Sequence, residues 1–313
     1  MCTAVLSIEP GKPVLLAGVR DELTDRPWEP PGAHWPAYPD LLGGRDLQAG
    51  GTWLAVMPSR PRVSCVLNGV GVMAPTATRR SRGELPLLGA TGELIMPAAG
   101  GDLPVMARHG RPPQTDSGAL PLRARTDETA AERALADYDP FRLLVAEPDR
   151  AVLWTWDGVE QTERVLLPGL HFIVNSGLAS QLHCTSQKAP DRTATGHDAT
   201  SWEGLEWRGA PPPDGREHEL ARTAYFLGRF VSAARPDPRP GQGVGQAWGE
   251  WLTLVNGDGI GPDDPRALIV RRDVGGGRTW GTTSISLVAL APGWLRYDFT
   301  PQPGDSSSWY EVV

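Results

Sequence analysis

The sequence predicts an α+β protein in which a few helices pack on sheets. Strand signals dominate: short runs that alternate or stay apolar, bounded by turn residues, recur from the first residues to the last. Helical stretches are few and segregated. Neither a strict βαβ alternation nor a glycine-rich nucleotide fingerprint interrupts that pattern.

The chain opens on the alternating stretch Cys2–Glu9, turns at Pro10-Gly11-Lys12-Pro13 and continues as the apolar run Val14–Val19, which reads as a hairpin. A second pair follows at Thr52–Met57 and Arg62–Asn68, around Pro58-Ser59-Arg60-Pro61. Ser81–Leu88 starts a helix. Asp127–Tyr138 forms another, with Asp127 as its N-cap and Leu135 at helical spacing. Strands are then expected at Phe141–Ala146, Ala151–Trp156, Gln161–Leu167 and His171–Val174. Glu219–Ala233 places Leu220, Ala224, Leu227 and Val231 on one helical face and stops before a proline-rich breaker. Ala267–Arg271, Ser284–Leu290 and Trp294–Phe299 complete the strands. Pro and Gly concentrate in 27–40, 97–116, 190–215 and 235–245, which read as loops inside one domain spanning 1–313. Gly275–Gly277 reads as a loop as well.

Composition bounds the function. With 313 residues, 40% of them hydrophobic, the chain can bury a sizeable core. A net charge of −7 with no basic stripe excludes nucleic acid as a partner, because neutralising phosphate needs clustered Lys and Arg. No apolar run approaches the ~18–20 residues that span a bilayer, and the start lacks a signal-peptide pattern, so no membrane span is expected. Cys2, Cys65 and Cys184 are far apart and the histidines lack metal spacing. This predicts a reducing compartment, the cytoplasm, and no metal centre. Oligomeric state is not legible.

Candidate chemistry begins at Met1-Cys2. Removal of Met1 would leave a thiol and a free α-amine on one residue, the self-contained arrangement of an N-terminal nucleophile. The amine titrates near about 7.7–8.0 and the thiol near about 8.5, so the amine can act as base near neutral pH. Arg20-Asp21-Glu22 follows the second strand, and a tight hairpin returns Arg20 and Asp21 beside Cys2. There a guanidinium favours thiolate and a carboxylate holds the α-amine. A solvated charged turn would show the same spacing. In the block 43–53, two glycine pairs flank Arg45-Asp46 before Trp53. Such a backbone needs positive φ or close approach, either as a plain turn or as a wall of the site that presents Gly50 and Gly51 to substrate beside Trp53. Asn68 and Asn175 close strands. Each is either an Asx turn or an amide donor for the oxyanion that thiolate attack creates. His171 sits on a strand, as a structural residue or as a contact in the site.

Several of these pieces converge on one family. Met1-Cys2-Thr3, Arg20-Asp21-Glu22 with Asp25-Arg26-Pro27, the GGRDLQAGGTW block at 43–53 and Ser81-Arg82-Gly83-Glu84-Leu85 resemble the NRDE family, which includes the transport and Golgi organisation 2 proteins. Pro168-Gly169-Leu170-His171 leading to Asn175, and Trp280-Gly281-Thr282, extend the resemblance, which is densest in the first 90 residues. That family is similar at its N-terminus to cysteine N-terminal nucleophile (Ntn) hydrolases. The similarity implies a four-layer αββα sandwich and an amide- or thioester-cleaving acyl transfer on a small-molecule substrate, without cofactor. It makes Cys2 nucleophile and base, Arg20 and Asp21 its orienting pair, and Asn68 and Asn175 oxyanion donors. The family's links to haem and to lipid or acyl-CoA handling imply an alternative, a non-catalytic carrier with Cys2 or His171 on haem iron. This chain departs from the pattern at Val19, where the signature has Asn, and at Thr283, where an arginine is expected near the nucleophile and a threonine faces the substrate instead. The stretch 185–218 is also longer and richer in Pro and Gly than the family pattern.

Overall fold

The computed structural model describes residues 2–94, 135–182, 205–209 and 217–313. Strands are numbered in chain order. The first sheet holds β1 (Thr3–Ile8), β2 (Val14–Leu23), β10 (Gly169–Val174), β11 (Gly177–Leu182), β12 (Leu205–Gly209), β13 (Arg271–Asp273), β14 (Thr279–Ala291), β15 (Trp294–Thr300) and β16 (Tyr310–Glu311). Its order is β12-β11-β10-β1-β2-β14-β15-β16, with β13 on β14, so the N-terminal strand lies in the middle. The second sheet runs in sequence order: β3 (Trp28–Gly32), β4 (Leu42–Asp46), β5 (Leu54–Met57), β6 (Arg62–Asn68), β7 (Phe141–Ala146), β8 (Ala151–Trp156) and β9 (Gln161–Val165).

Strand alternation sorts the side chains into layers. Ala4 and Leu6 of β1 share one cluster with Leu54, Val56, Val63, Cys65, Leu144 and Leu153, which places that cluster between the two sheets. Val5, Leu15, Ala17 and Phe172 point the other way. They meet Phe226, Leu227 and Phe230 of the helix Glu217–Ser232, together with Trp248 and Trp251 of the short helices Val244–Trp248 and Glu250–Val255. On the far side of the second sheet, the helix Leu85–Thr91 sets Leu85 near Phe141, Leu143 and Trp156, and Ala90 near Ala55. The protein is thus mixed α and β, mostly antiparallel sheet, as the α+β expectation has it.

Several expected elements return with their bounds: Arg62–Asn68, Phe141–Ala146 and Ala151–Trp156 are strands end to end. Others shift. β2 runs on to Leu23, so Arg20 and Asp21 are inside the strand and not in a turn after it. The block 43–53 begins as strand β4, because Gly43 and Gly44 let neighbours close in: a Cβ on Gly43 would sit 2.6 Å from Leu54 O, and one on Gly44 would sit 2.3 Å from the Trp53 ring. β3, with its paired prolines, lies at the sheet edge, where a missing N–H costs no ladder bond. Of the expected strand at 267–271 only Arg271 is in one. The helix expected at 127–138 lies largely outside the described residues.

The helix Glu217–Ser232 is rotated from the expected face. Leu220 and Val231 are exposed, whereas Glu219, Arg222 and Thr223 are buried with Phe226, Leu227 and Phe230. Apolar periodicity alone chooses Leu220 for the interior. The two charged residues win the place because partners are waiting for them there.

Candidate functional site

The β1/β2 hairpin closes through Lys12 N–H donating to Glu9 O at 3.1 Å, and pairs Thr3 with Val19. That register sets Cys2 across from Arg20. Alternation turns Cys2 to the same side as Ala4 and Leu6, into the space between the sheets. A cleft there is lined by Cys2, Ala4, Gly18, Trp53, Leu54 and Cys65, among others. The Cys2 thiol lies 3.9 Å from the carbonyl oxygen of Asp21.

Arg20 faces the same cleft. Its Nη1 donates to Thr283 Oγ1 at 2.8 Å, its guanidinium carbon stands 4.3 Å from the Trp53 ring centre, and Nη2 is 3.7 Å from Asp46 Oδ2 and 3.9 Å from Glu22 Oε2. Thr283 sits where the β2–β14 register slips, between Thr282 and Ser284. The bulge turns its hydroxyl onto Arg20, so Thr283 anchors that guanidinium and is engaged by the protein itself. Asp46 ties the wall together: Oδ1 accepts the amides of Gln48 and Ala49, both at 2.9 Å, and Oδ2 accepts Arg26 Nε at 2.6 Å. Gly50, at φ 74°, closes that turn. Gly51 packs on the backbone of Gly83, where a Cβ would lie 2.4 Å from the Gly83 carbonyl, and Thr52 N–H donates to Gly83 O at 2.8 Å. The glycine pair therefore joins two loops, and among these residues only Trp53 reaches the cleft.

Asp21 points to the opposite face of β2. Thr282 Oγ1 donates to its Oδ1 at 2.7 Å and Arg222 Nη1 to its Oδ2 at 3.3 Å, with both charged side chains buried. The same Arg222 nitrogen donates to Thr3 Oγ1 at 3.1 Å, and Nε donates to Ala267 O at 2.8 Å. Asp21 thus braces β1 next to Cys2 from the helix side. The group on the Cys2 nitrogen is Asn175, whose Oδ1 accepts from it at 3.4 Å. The hold on that nitrogen expected of Asp21 is made by Asn175, and Arg222, a lone arginine on a helix, carries no local signal in the sequence.

Two other expectations move away from the cleft. On β6, Cys65 and Leu67 face between the sheets, so alternation puts Asn68 on the other face with Ser64 and Val66, where it is exposed. His171 is buried: Nε2 donates to Leu167 O at 2.8 Å and Nδ1 pairs with Ser180 Oγ at 2.9 Å, which leaves the ring as a cross-strand fastener.

Burial pushes the Cys2 thiol above its ordinary value, and the Asp21 charge adds to this. Arg20 pulls the other way without prevailing. Arg20 thus favours thiolate, as expected, but burial outweighs it, so the thiol holds its proton more tightly than a free cysteine does. Cys65 in the same cleft is pushed up to about 12 by burial, which keeps it protonated and inert.

Residues 1–93 match the family model described as Transport and Golgi organisation 2, so the resemblance, expected over most of the chain and densest in the first 90 residues, is borne out over that segment. The matched segment contains Cys2, Arg20, Asp21 and Trp53, while Asn175, Arg222 and Thr283 lie beyond it. No curated protein matches the chain.

Proposed function

We propose that the chain is an N-terminal cysteine acyl-transfer enzyme that cleaves an amide or thioester of a small molecule through an acyl group carried on Cys2. The observation that carries this reading is the contact of Asn175 Oδ1 with the Cys2 nitrogen at 3.4 Å, on the residue whose thiol opens into the cleft. Once Met1 is removed that nitrogen is the α-amine. It takes the thiol proton that burial otherwise retains, and the thiolate attacks the acyl carbonyl. The Nδ2 of Asn175, on the same carboxamide, is the donor for the oxyanion. The ammonium returns its proton to the leaving amine or thiol as the carbon–heteroatom bond breaks. Water, deprotonated by the same amine, then attacks the acyl-cysteine and releases the acid. Arg20 and Trp53 wall the approach, and Asp21 holds β1 in place from behind.

We infer with it the four-layer αββα arrangement. What supports this is the order of the clusters: three helices outside the first sheet, a shared apolar layer between the sheets, and Leu85–Thr91 outside the second. A haem carrier would need Cys2 or His171 on the iron, and His171 has both ring nitrogens engaged.

Intact-mass and peptide mapping after incubation with p-nitrophenyl acetate test the reading. The expected result is loss of Met1 and one acetyl on Cys2, absent in Cys2→Ala, with Cys65 unlabelled. Retained Met1, or labelling that survives Cys2→Ala, overturns it.

A further inference from the structure

The turn that carries Asn175 is held far more firmly than a hairpin needs. Asn175 and Ser176 alone join β10 to β11, since Val174 pairs with Gly177. A two-residue turn normally leaves its peptide groups to water. Here Arg142 reaches from β7 of the second sheet, donating from Nε to Asn175 O at 3.1 Å and from Nη2 to Ser176 O at 2.9 Å. From the opposite side Glu219, on the helix Glu217–Ser232, accepts the Ser176 N–H at 3.1 Å and the Ser176 hydroxyl. Arg142 is 9% exposed and Glu219 fully buried.

Fold stability alone does not account for this pair. Buried ions carry a desolvation cost that apolar side chains of the same size avoid. Leu220, one residue along, points to solvent while Glu219 occupies the interior. What the pair achieves is geometric. It fixes the backbone of Asn175 from three layers at once: its own sheet, the facing sheet and the helix. A carboxamide hangs on only two side-chain torsions, so fixing its backbone narrows the positions its oxygen can take.

We propose that Arg142 and Glu219 are positioning residues that hold the Asn175 carboxamide on the Cys2 nitrogen, so that the reactivity of Cys2 is set by contacts from the second sheet and from the helix. This rests on the reading of Cys2 as an acyl-transfer nucleophile. The two residues touch no reacting atom and act through Asn175.

A double-mutant cycle tests it, with acetylation of Cys2 by p-nitrophenyl acetate and alkylation by iodoacetamide, both followed against pH. Arg142→Met and Glu219→Gln are each expected to slow acetylation about tenfold, the scale of a loosened reacting group. Each should displace the pH profile in the direction Asn175→Ala does. In an Asn175→Ala background neither should slow it further, because the group they act through is gone. Arg142→Lys should fall between wild type and Arg142→Met. Equal slowing in both backgrounds means a merely structural role and overturns the proposal, as does no slowing in either. Should Arg142→Met fail to fold, Ser176→Ala removes the hydroxyl from Glu219 and enters the same cycle. If wild-type Cys2 is alkylated but never acetylated, the acyl-transfer reading fails by itself, and the alkylation cycle still decides the positioning role.

Discussion

Arg20 and Asp21 are adjacent in the chain and lie on opposite faces of β2. Arg20 looks into the cleft, where Thr283, Trp53, Asp46 and Glu22 surround it beside Cys2. Asp21 looks toward the helices, where Arg222 and Thr282 satisfy its carboxylate out of contact with solvent. A motif that reads as one cluster is therefore two devices separated by the thickness of a strand. The cleft face carries the side chains that surround the thiol. The helix face holds the strand that presents the thiol. Substitutions on the two faces should accordingly fail in different ways.

The largest effect is expected on the helix face. Arg222→Met leaves the Asp21 carboxylate buried without its countercharge, which should cost ~3–5 kcal/mol of unfolding free energy in urea. Asp21→Asn in the same chain should recover part of that loss, since an unpaired buried charge is then no longer present. A loss below ~1 kcal/mol, the range of exposed pairs, would mean that the pair is not the brace described. On the cleft face, Gly44→Ala drives a methyl into the Trp53 ring, where no room exists. The expected cost is smaller, ~1–3 kcal/mol, but Trp53 must leave Arg20, and Cys2 alkylation should change more than stability does. Unchanged reactivity in Gly44→Ala would detach Trp53 from the site.

The difference between the faces also explains what the sequence could and could not reveal. The hairpin, Cys2 beside Arg20, and three full strands follow from alternation and turn residues, which are local. The block 43–53 is unusual in the sequence, but its purpose is not legible there, because Gly43, Gly44 and Gly51 answer to Leu54, Trp53 and Gly83, contacts that only the folded sheet creates. Asn68 lies away from the cleft for a simpler reason: a strand end takes its face by parity, and Cys65 is on the cleft side. Arg142, Glu219 and Arg222 were invisible. Each is a charged residue in an element whose apolar pattern argues for its exposure, and only the distant partners Ser176, Asn175 and Asp21 reverse that. Asp21 is legible in the sequence, but the contact with the Cys2 nitrogen expected of it is made by Asn175.

The smallest effect separates the faces most sharply, because it differs in sign. Cys2 carries a thiol raised by burial, with the Arg20 charge lowering it and the Asp21 charge raising it further. Removing Arg20 takes away a stabiliser of the thiolate. Arg20→Gln should therefore move the pH midpoint of Cys2 alkylation by iodoacetamide upward, so that less thiolate is available at any given pH. Removing the Asp21 charge takes away a repulsion, and Asp21→Asn should move the midpoint downward, measured well below the melting transition of that less stable variant. Neighbouring residues would then push one thiol in opposite directions from opposite sides of a strand. Two shifts of the same sign would mean that both variants act by loosening β2, and the division of labour between its faces would have to be abandoned.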